Sequence, residues 1–506
     1  MIMKLRLSDR ARTKLAEKYL DLAERYPNFN WGPVRSFRRI RESQRRRAEN
    51  AFQRSRAPEG AELSFLYFRL IEVFHLEDFG QLYSGLVRLL PGLVDHPIYE
   101  SFSSDFAHRS QSLEGTSWEK VGYLTRDDAP VLATLDAHRK IPGLPEEVRS
   151  VAVEVYKVLP SIYAVTFDVY LNGTATERLN QLHDKRYLPA IRFHRTIPLK
   201  RLGGKVLLGG RSESNPNEAM EREILDWSDK LRSGVERCIR PYLRGYFSRQ
   251  SAGGVARLPA VEVFALSGTP AEQEAFDRWA SEARSWLNAF GLSRINRARR
   301  SGGIIFSEPR EREGGQWPQR LVVLREESLR SIDLDEYEGD ESSAIMEHTG
   351  ESLDALTPAI VLKQYLAAIE RQVEKLRTAA LGSMRSSRGL NKYIGQGNRI
   401  HQESHLLDRL SMEFTQERPL LEHTTDGTDA EQRSIELRIE FLRRQLTYVS
   451  STFSEYLALR NMTANYRLQW YVLVLSVIAT VASVISVIVS WPNIKEFISD
   501  VFGITL

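Results

Sequence analysis

The longest apolar run of the chain lies near its carboxyl end and reads WYVLVLSVIATVASVISVIVSW, Trp470 to Trp491. No charged residue occurs between Arg467 and Lys495. As a helix the run covers roughly 30 Å, the hydrocarbon thickness of a bilayer. Trp470, Tyr471 and Trp491 stand at its ends, where amphipathic rings settle at headgroup level. The pattern predicts a single transmembrane helix over 469–491. Within it Ser476, Ala479, Ser483, Ser486 and Ser490 alternate steps of three and four and share one face. Small residues let helices approach closely in lipid, so this face is read as a self-association seam.

Upstream of the run the period is helical. Ile435, Ile439, Leu442, Leu446, Val449, Phe453 and Tyr456 recur in heptad steps, the pattern of a coiled-coil or helical-hairpin seam. No Pro or Gly interrupts Glu431 to Trp491, so stalk and span read as one continuous helix. Earlier still, Leu362, Leu366, Ile369, Val373, Leu376 and Ala380 predict a helix opened by Thr357-Pro358, with Gly382 and SSRG breaking it. A further helix carries Ile400, Leu406, Leu407 and Leu410. Residues 357–468 thus read as a helical stalk.

Residues 61–330 alternate short apolar runs with amphipathic ones. ELSFLYFRLIEVFHL fits strand or helix. SIYAVTFDVYL reads as a strand, TATERLNQLHDK as a helix capped by Thr174 or Thr176, and LPAIRFHRTIPL as the next strand. A helix over Asn217–Arg240, the strand LPAVEVFAL, one helix through PAEQEAFDRWASEARSWLNAF, and short strands at GGIIF and RLVVL follow. This order predicts an α/β domain of about five or six strands. Residues 100–150 show weak periodicity and several turn signals.

The remaining segments are polar. Residues 1–60 read as a basic helical segment, with Ser8 capping a stripe of Leu15, Tyr19, Leu22 and Tyr26. Arg38, Arg39, Arg45, Arg46 and Arg47 form its densest cluster, a candidate grip for anionic lipid or nucleic-acid phosphate, or else a solvated face. Residues 331–356, including DLDEYEGDESS, read as an acidic linker, because Gly339 stands one position late for a calcium loop. Residues 492–506 form a short tail.

Composition narrows the setting. The chain has 506 residues, 42% hydrophobic and 27% charged, with net charge +4. One cysteine, Cys238, excludes an intrachain disulfide and fits a reducing compartment. The N-terminus lacks the apolar core of a cleavable signal. Arg433, Arg438, Arg443, Arg444, Arg460 and Arg467 flank the span on its N-terminal side, against Lys495 alone on the other. Basic flanks stay inside, so the expectation is an inner or plasma membrane protein with its bulk in the cytoplasm.

Catalytic signatures are weak. LGGKVLLGGR lacks the spacing of a phosphate loop. His401 and His405 stand four apart but supply too few ligands for a metal site. Arg178 and His183 have only a common spacing, and Cys238 lies inside an apparent helix. No enzyme, catalytic residue, metal or cofactor is expected.

The stretch EYLALRNMTANYRLQWYVLVLSVIAT (Glu455 to Thr480) is similar in texture to the stalk-to-membrane junction of the CorA-type divalent-cation channels. The resemblance implies a cytoplasmic α/β domain feeding long helices into the membrane. It departs where the span exits into Trp491-Pro492-Asn493: the family's Gly-Met-Asn signature and second span are missing, so no pore residue carries over. The expectation is therefore a membrane-anchored homo-oligomer in which the α/β domain senses a ligand or protein partner and the stalk couples it to the span. A divergent ion channel or transporter, and a membrane-tethered nucleic-acid-binding protein or enzyme, are the alternatives.

Overall fold

In the computed structural model the described residues are 32–93, 117–126, 137–187, 191–193, 211–213, 216–250, 257–292, 299–301, 303–307, 311–312, 315–316, 318–334, 340–384, 390–416 and 428–502, with positions 18, 21 and 25. The helix expected from Ser8, the LGGKVLLGGR turn up to residue 210 and the SSRG segment lie outside them. The chain divides into two units, residues 1–364 with 416–432 and residues 365–415 with 433–506.

The first unit is built on a mixed sheet. Its strands are β1 (Glu62–His75), β2 (Ser117–Thr125), β3 (Ala137–Lys140), β4 (Val148–Leu159), β5 (Ile162–Leu171), β8 (Ala260–Ser267), β9 (Arg299–Ser301), β10 (Ile304–Ser307) and β13 (Gln319–Leu324). Their order is β3-β2-β4-β5-β1-β8-β13-β10-β9, nine strands among the described residues. Pairing is antiparallel through β2-β4-β5-β1-β8, and parallel where β13 meets β8 and β3 meets β2.

Three differences from the sequence reading have physical causes. β2 and β4 fall in or beside the stretch with weak periodicity. Nearly all of β4 is buried on both faces, so its run VRSVAVEVYKVL shows no alternation. Of LPAIRFHRTIPL the described part is β6 (Ile191–Phe193), which pairs with β7 (Arg211–Glu213) in a separate ribbon, as β11 (Glu311–Arg312) does with β12 (Gly315–Gln316). Among the described residues the strand after this helix therefore does not return to the same sheet as β5. The helix after β5, Gly173–Asp184, is capped by Asn172, whose Oδ1 accepts from Thr174 N at 3.2 Å, and not by either threonine. Thr176 Oγ1 instead accepts from Phe65 N.

One face of the sheet is mainly apolar, although Glu72 and Glu262 also lie on it, and the opposite, more polar face carries Arg69, Glu154 and Asp168. Phe68, Leu70 and Phe74 of β1 lie with Phe167 and Val169 of β5 and Val153 and Val155 of β4 on one side. Helices cover that side: Trp227, on the helix Pro216–Ile239, stands edge-on to Phe65, which stacks on Phe264 at 4.6 Å. The run expected as one helix after β8 breaks at Ala283 into Gln273–Glu282 and Arg284–Ala289.

The long helix Glu341–Met384 starts well before Thr357-Pro358 and runs through Gly382. Asp340 opens it: its Oδ2 accepts from Ser343 Oγ at 2.6 Å, and its carbonyl accepts from Ala344 N. The acidic linker expected over 331–356 is thus helix from Glu341 onward, with Asp340 as its cap. Pro358 sits inside the helix although it lacks the N–H that would reach the carbonyl of Asp354; beside it the Thr357 hydroxyl donates to the carbonyl of Leu353 at 2.7 Å.

The second unit is helical. It takes the later part of Glu341–Met384, the helix Leu390–Gln416 and most of the helix Thr428–Phe502. Ile400, Leu407 and Leu410 are buried, together with Ile435, Ile439, Leu442, Leu446, Val449 and Phe453. Arg438 binds Glu370 at 2.6 Å and Arg443 binds Asp408 at 2.8 Å, so the last helix is tied to both of the others. It then continues beyond Trp491, through Pro492, to Phe502.

Candidate functional site

Two features of the chain stand apart from ordinary packing. One is the far part of the helix Thr428–Phe502. Among the described residues it is the one helix long and apolar enough to cross a membrane, and its apolar stretch has no protein cover. Trp470 and Tyr471 are exposed, as are Ser476, Ala479, Ser483 and Ser486. Ser490 is half-buried, and the side chain of Trp491 lies outside the described residues. The heptad residues from Ile435 to Phe453 form a contrasting stretch, buried within this chain.

The other feature is on the polar face of the sheet. Arg69 in the middle of β1 stands opposite Asp168 of β5, and Glu154 of β4 stands opposite Thr166. Asp354 and Thr357 reach the same point from the helix Glu341–Met384. Asp168 takes Arg69 in a fork, Oδ1 accepting from Nε at 2.6 Å and Oδ2 from Nη2 at 2.5 Å. Nη2 also donates to Asp354 Oδ1 at 2.6 Å and to Glu154 Oε2 at 3.4 Å. Nη1 donates to Thr357 Oγ1 at 2.5 Å and to Tyr156 Oη at 3.3 Å. Arg69 is 1% exposed and Asp354, the most open member, 17%.

Charge explains the chemistry of this cluster. Carboxylate oxygens of Glu154, Asp168 and Asp354 lie within 4.8 Å of one another, an oxygen-only set of the kind that hard cations take. Here the Arg69 guanidinium occupies the point where they converge. One guanidinium does not balance three carboxylates, and an isolated buried charge is costly. Burial, followed by the charge of Asp168, pushes the Glu154 carboxyl up to about 7, against the pull of Arg69. Geometry agrees. Tyr156 has a single hydroxyl hydrogen but two carboxyl neighbours, Glu154 Oε2 at 2.8 Å and Asp354 Oδ1 at 2.6 Å. A proton on Glu154 makes the second contact a hydrogen bond as well.

Other charges buried in the sheet have local partners. The carboxylate of Glu72 accepts from the backbone N–H groups of Phe247 at 2.8 Å and Ser248 at 3.0 Å. Arg320 donates to Glu262 at 2.8 Å, and Ser228 Oγ donates to the same carboxylate.

The basic cluster lies on the helix Gly32–Arg54, where Arg45, Arg46 and Arg47 are exposed, while the side chains of Arg38 and Arg39 lie outside the described residues. His401 and His405 are exposed neighbours with Nε2 atoms 3.3 Å apart. Among the described side chains, none of these takes part in the buried cluster. Sequence reasoning passed over Arg69, Glu154 and Asp168, although each interrupts an apolar strand run (FRLIE, VEVYK, TFDVY), which is the signal that marks them.

No family model matches the chain, and neither the curated proteins nor the solved structures contain a match.

Proposed function

We propose that this chain is a non-enzymatic, membrane-anchored sensor or effector. Its last helix spans the inner or plasma membrane, its α/β unit lies in the cytoplasm, and copies associate as a homo-oligomer. One observation carries the reading: a single helix is covered along one side by its own chain from Ile435 to Phe453 and bare over a bilayer's thickness of Val, Ile and Leu beyond Trp470. In water such a surface is an aggregation hazard, whereas each central Leu, Ile or Val favours insertion into lipid by roughly 0.3–0.6 kcal/mol. The arginines preceding the span favour a cytoplasmic N-terminal side.

The buried cluster supports the sensing half of the reading. It fastens the helix Glu341–Met384 to the sheet through Asp354 and Thr357, and that same helix continues into the helical unit. A ligand or partner acting on the sheet has in Asp354 a fixed point through which to act.

The test is fractionation of cells expressing the full chain. It should remain in the membrane pellet after an alkaline carbonate wash and be released by detergent. Recovery in the soluble fraction without detergent overturns the proposal.

A further inference from the structure

The helix Thr428–Phe502 has a second apolar side. The buried heptad residues from Ile435 to Phe453 occupy one side of it. The opposite side exposes Leu437, Phe441 and Tyr448, and further along Met462 and Tyr466. These are large side chains; Tyr448 is 69% exposed and Met462 68%.

Their spacing continues into the span. Phe441, Tyr448, Met462, Ser476, Ser483 and Ser490 are separated by sevens and multiples of seven. Leu437, Ala458, Ala479 and Ser486 hold the companion position four residues earlier in the same repeat. On a straight helix this line drifts by about 20° per heptad, so it stays on one partner only if the helices wind around each other left-handedly. We propose that the helix pairs in parallel with the same helix of a second copy of this chain, along one seam from Leu437 to Ser490. The proposal rests on the membrane-anchoring reading above.

A second copy is the occupant that the geometry favours. The bilayer sets the orientation and depth of every copy, so Phe441 meets Phe441 and Ser483 meets Ser483 at the same height. Large side chains fill the aqueous part of the seam, while small ones allow close approach in lipid, where apolar area itself gives no preference. The distance from Leu437 to Ser490 is about 80 Å, and a strip about 10 Å wide gives on the order of 800 Å² per copy, the size of a standard stable interface. Polar residues interrupt the line at Arg444, Ser451, Glu455, Asn465 and Gln469. Arg444 is held by Glu440 of its own helix. Asn465 and Gln469, just before the span, face their own counterparts, and polar residues at such core positions fix register and favour one alignment over others.

Cysteine crosslinking in native membranes tests the seam. Cys238→Ser removes the one native thiol, and Phe441→Cys, Met462→Cys and Ala464→Cys are then placed singly in the full chain. Ala464 is exposed and points away from the seam. Oxidation should yield disulfide dimers at 441 and 462 and none above background at 464. Crosslinking at 464 equal to that at 462, or none at 441 and 462 in protein that stays in the membrane pellet, overturns the pairing and leaves the anchor standing. Protein found in the soluble fraction overturns both. As a second measurement, Leu437→Glu with Met462→Glu should reduce the size of the detergent-extracted particle without releasing it from membranes; an unchanged particle counts against the seam.

Discussion

Arg69 Nη2 donates to Asp354 Oδ1 at 2.6 Å, joining the middle of a strand to a helix 285 positions later in the chain. Arg69 is also the only cation that touches Asp168, Glu154 and Asp354 together among the described residues. Removing it leaves three carboxyl groups facing one another in a largely buried site. Arg69→Ala should therefore destabilise the α/β unit by about 3–5 kcal/mol, the range for breaking a buried ion pair. Asp354→Asn should cost less, because Asp354 is partly exposed and Asn still accepts from Nη2. Denaturant unfolding of the two variants checks the order; an Arg69→Ala loss below that of Asp354→Asn contradicts it.

Glu154 makes stability depend on pH in a direction unusual for a carboxyl group. It faces Arg69, Asp168 and Asp354, with Tyr156 beside it and Lys120 opposite on β2. Its pKa rises from 4.5 to about 7 on folding, so the folded chain binds the extra proton between those values. The sign follows from linkage: where the folded state binds more protons, stability falls as pH rises. Glu154 should thus favour folding fully below pH 4.5 and lose that contribution by pH 7, a difference of about 3 kcal/mol. Glu154→Gln, which cannot ionise, should flatten the profile between pH 5 and 8 and stabilise the protein at pH 8. Thermal melts across this range are the measurement; parallel curves for the two proteins would contradict the assignment.

What the sequence disclosed depended on how each segment meets its surroundings. The apolar run from Trp470 to Trp491 was plain because it carries no charged residue, and the seam from Ile435 to Phe453 because heptads mark burial directly. β1 and β4 were hard, since burial on both faces removes alternation. The cap at Asp340 was hidden among neighbouring acidic residues that imitate a linker. The cluster itself joins β1, the adjacent strands β4 and β5, and a helix whose Asp354 lies 198 positions beyond Tyr156, so a lone charge inside each strand could raise the question but could not identify its partner.

Gly245 is required by close approach rather than by turn geometry. A Cβ there would stand 2.3 Å from the carbonyl oxygen of Val73 and 2.7 Å from Glu72 Cγ, which is held by the amides of Phe247 and Ser248. Backbone cannot yield as a flexible side chain can. Gly245→Ala should therefore cost about 1–3 kcal/mol by overpacking. Glu72→Ala, which strips the acceptor from the backbone N–H groups of Val73, Phe247 and Ser248, should cost a similar amount. Gly350 has nothing within 4 Å of its Cβ position, and Gly350→Ala, within a helix, should be neutral or stabilising. Equal losses at Gly245 and Gly350 in denaturant titrations would sink the distinction.

Leu446 and Leu437 separate the two sides of the last helix. Leu446 is buried at 1% exposure within its own chain, whereas Leu437 is 60% exposed. Truncating a buried leucine loses its transfer free energy and leaves a cavity, so Leu446→Ala should destabilise the helical unit by about 2–5 kcal/mol. Leu437→Ala removes little from the isolated chain and should change its unfolding midpoint by less than about 0.5 kcal/mol in monomer-forming detergent. In membranes, where the proposed partner covers Leu437, the same change should weaken association while Leu446→Ala acts on folding. Helix loss followed by circular dichroism in both settings, with particle size measured in parallel, distinguishes the two effects. A large loss from Leu437→Ala in the monomer would mean that this side is already covered by its own chain, and the pairing seam would have to be abandoned.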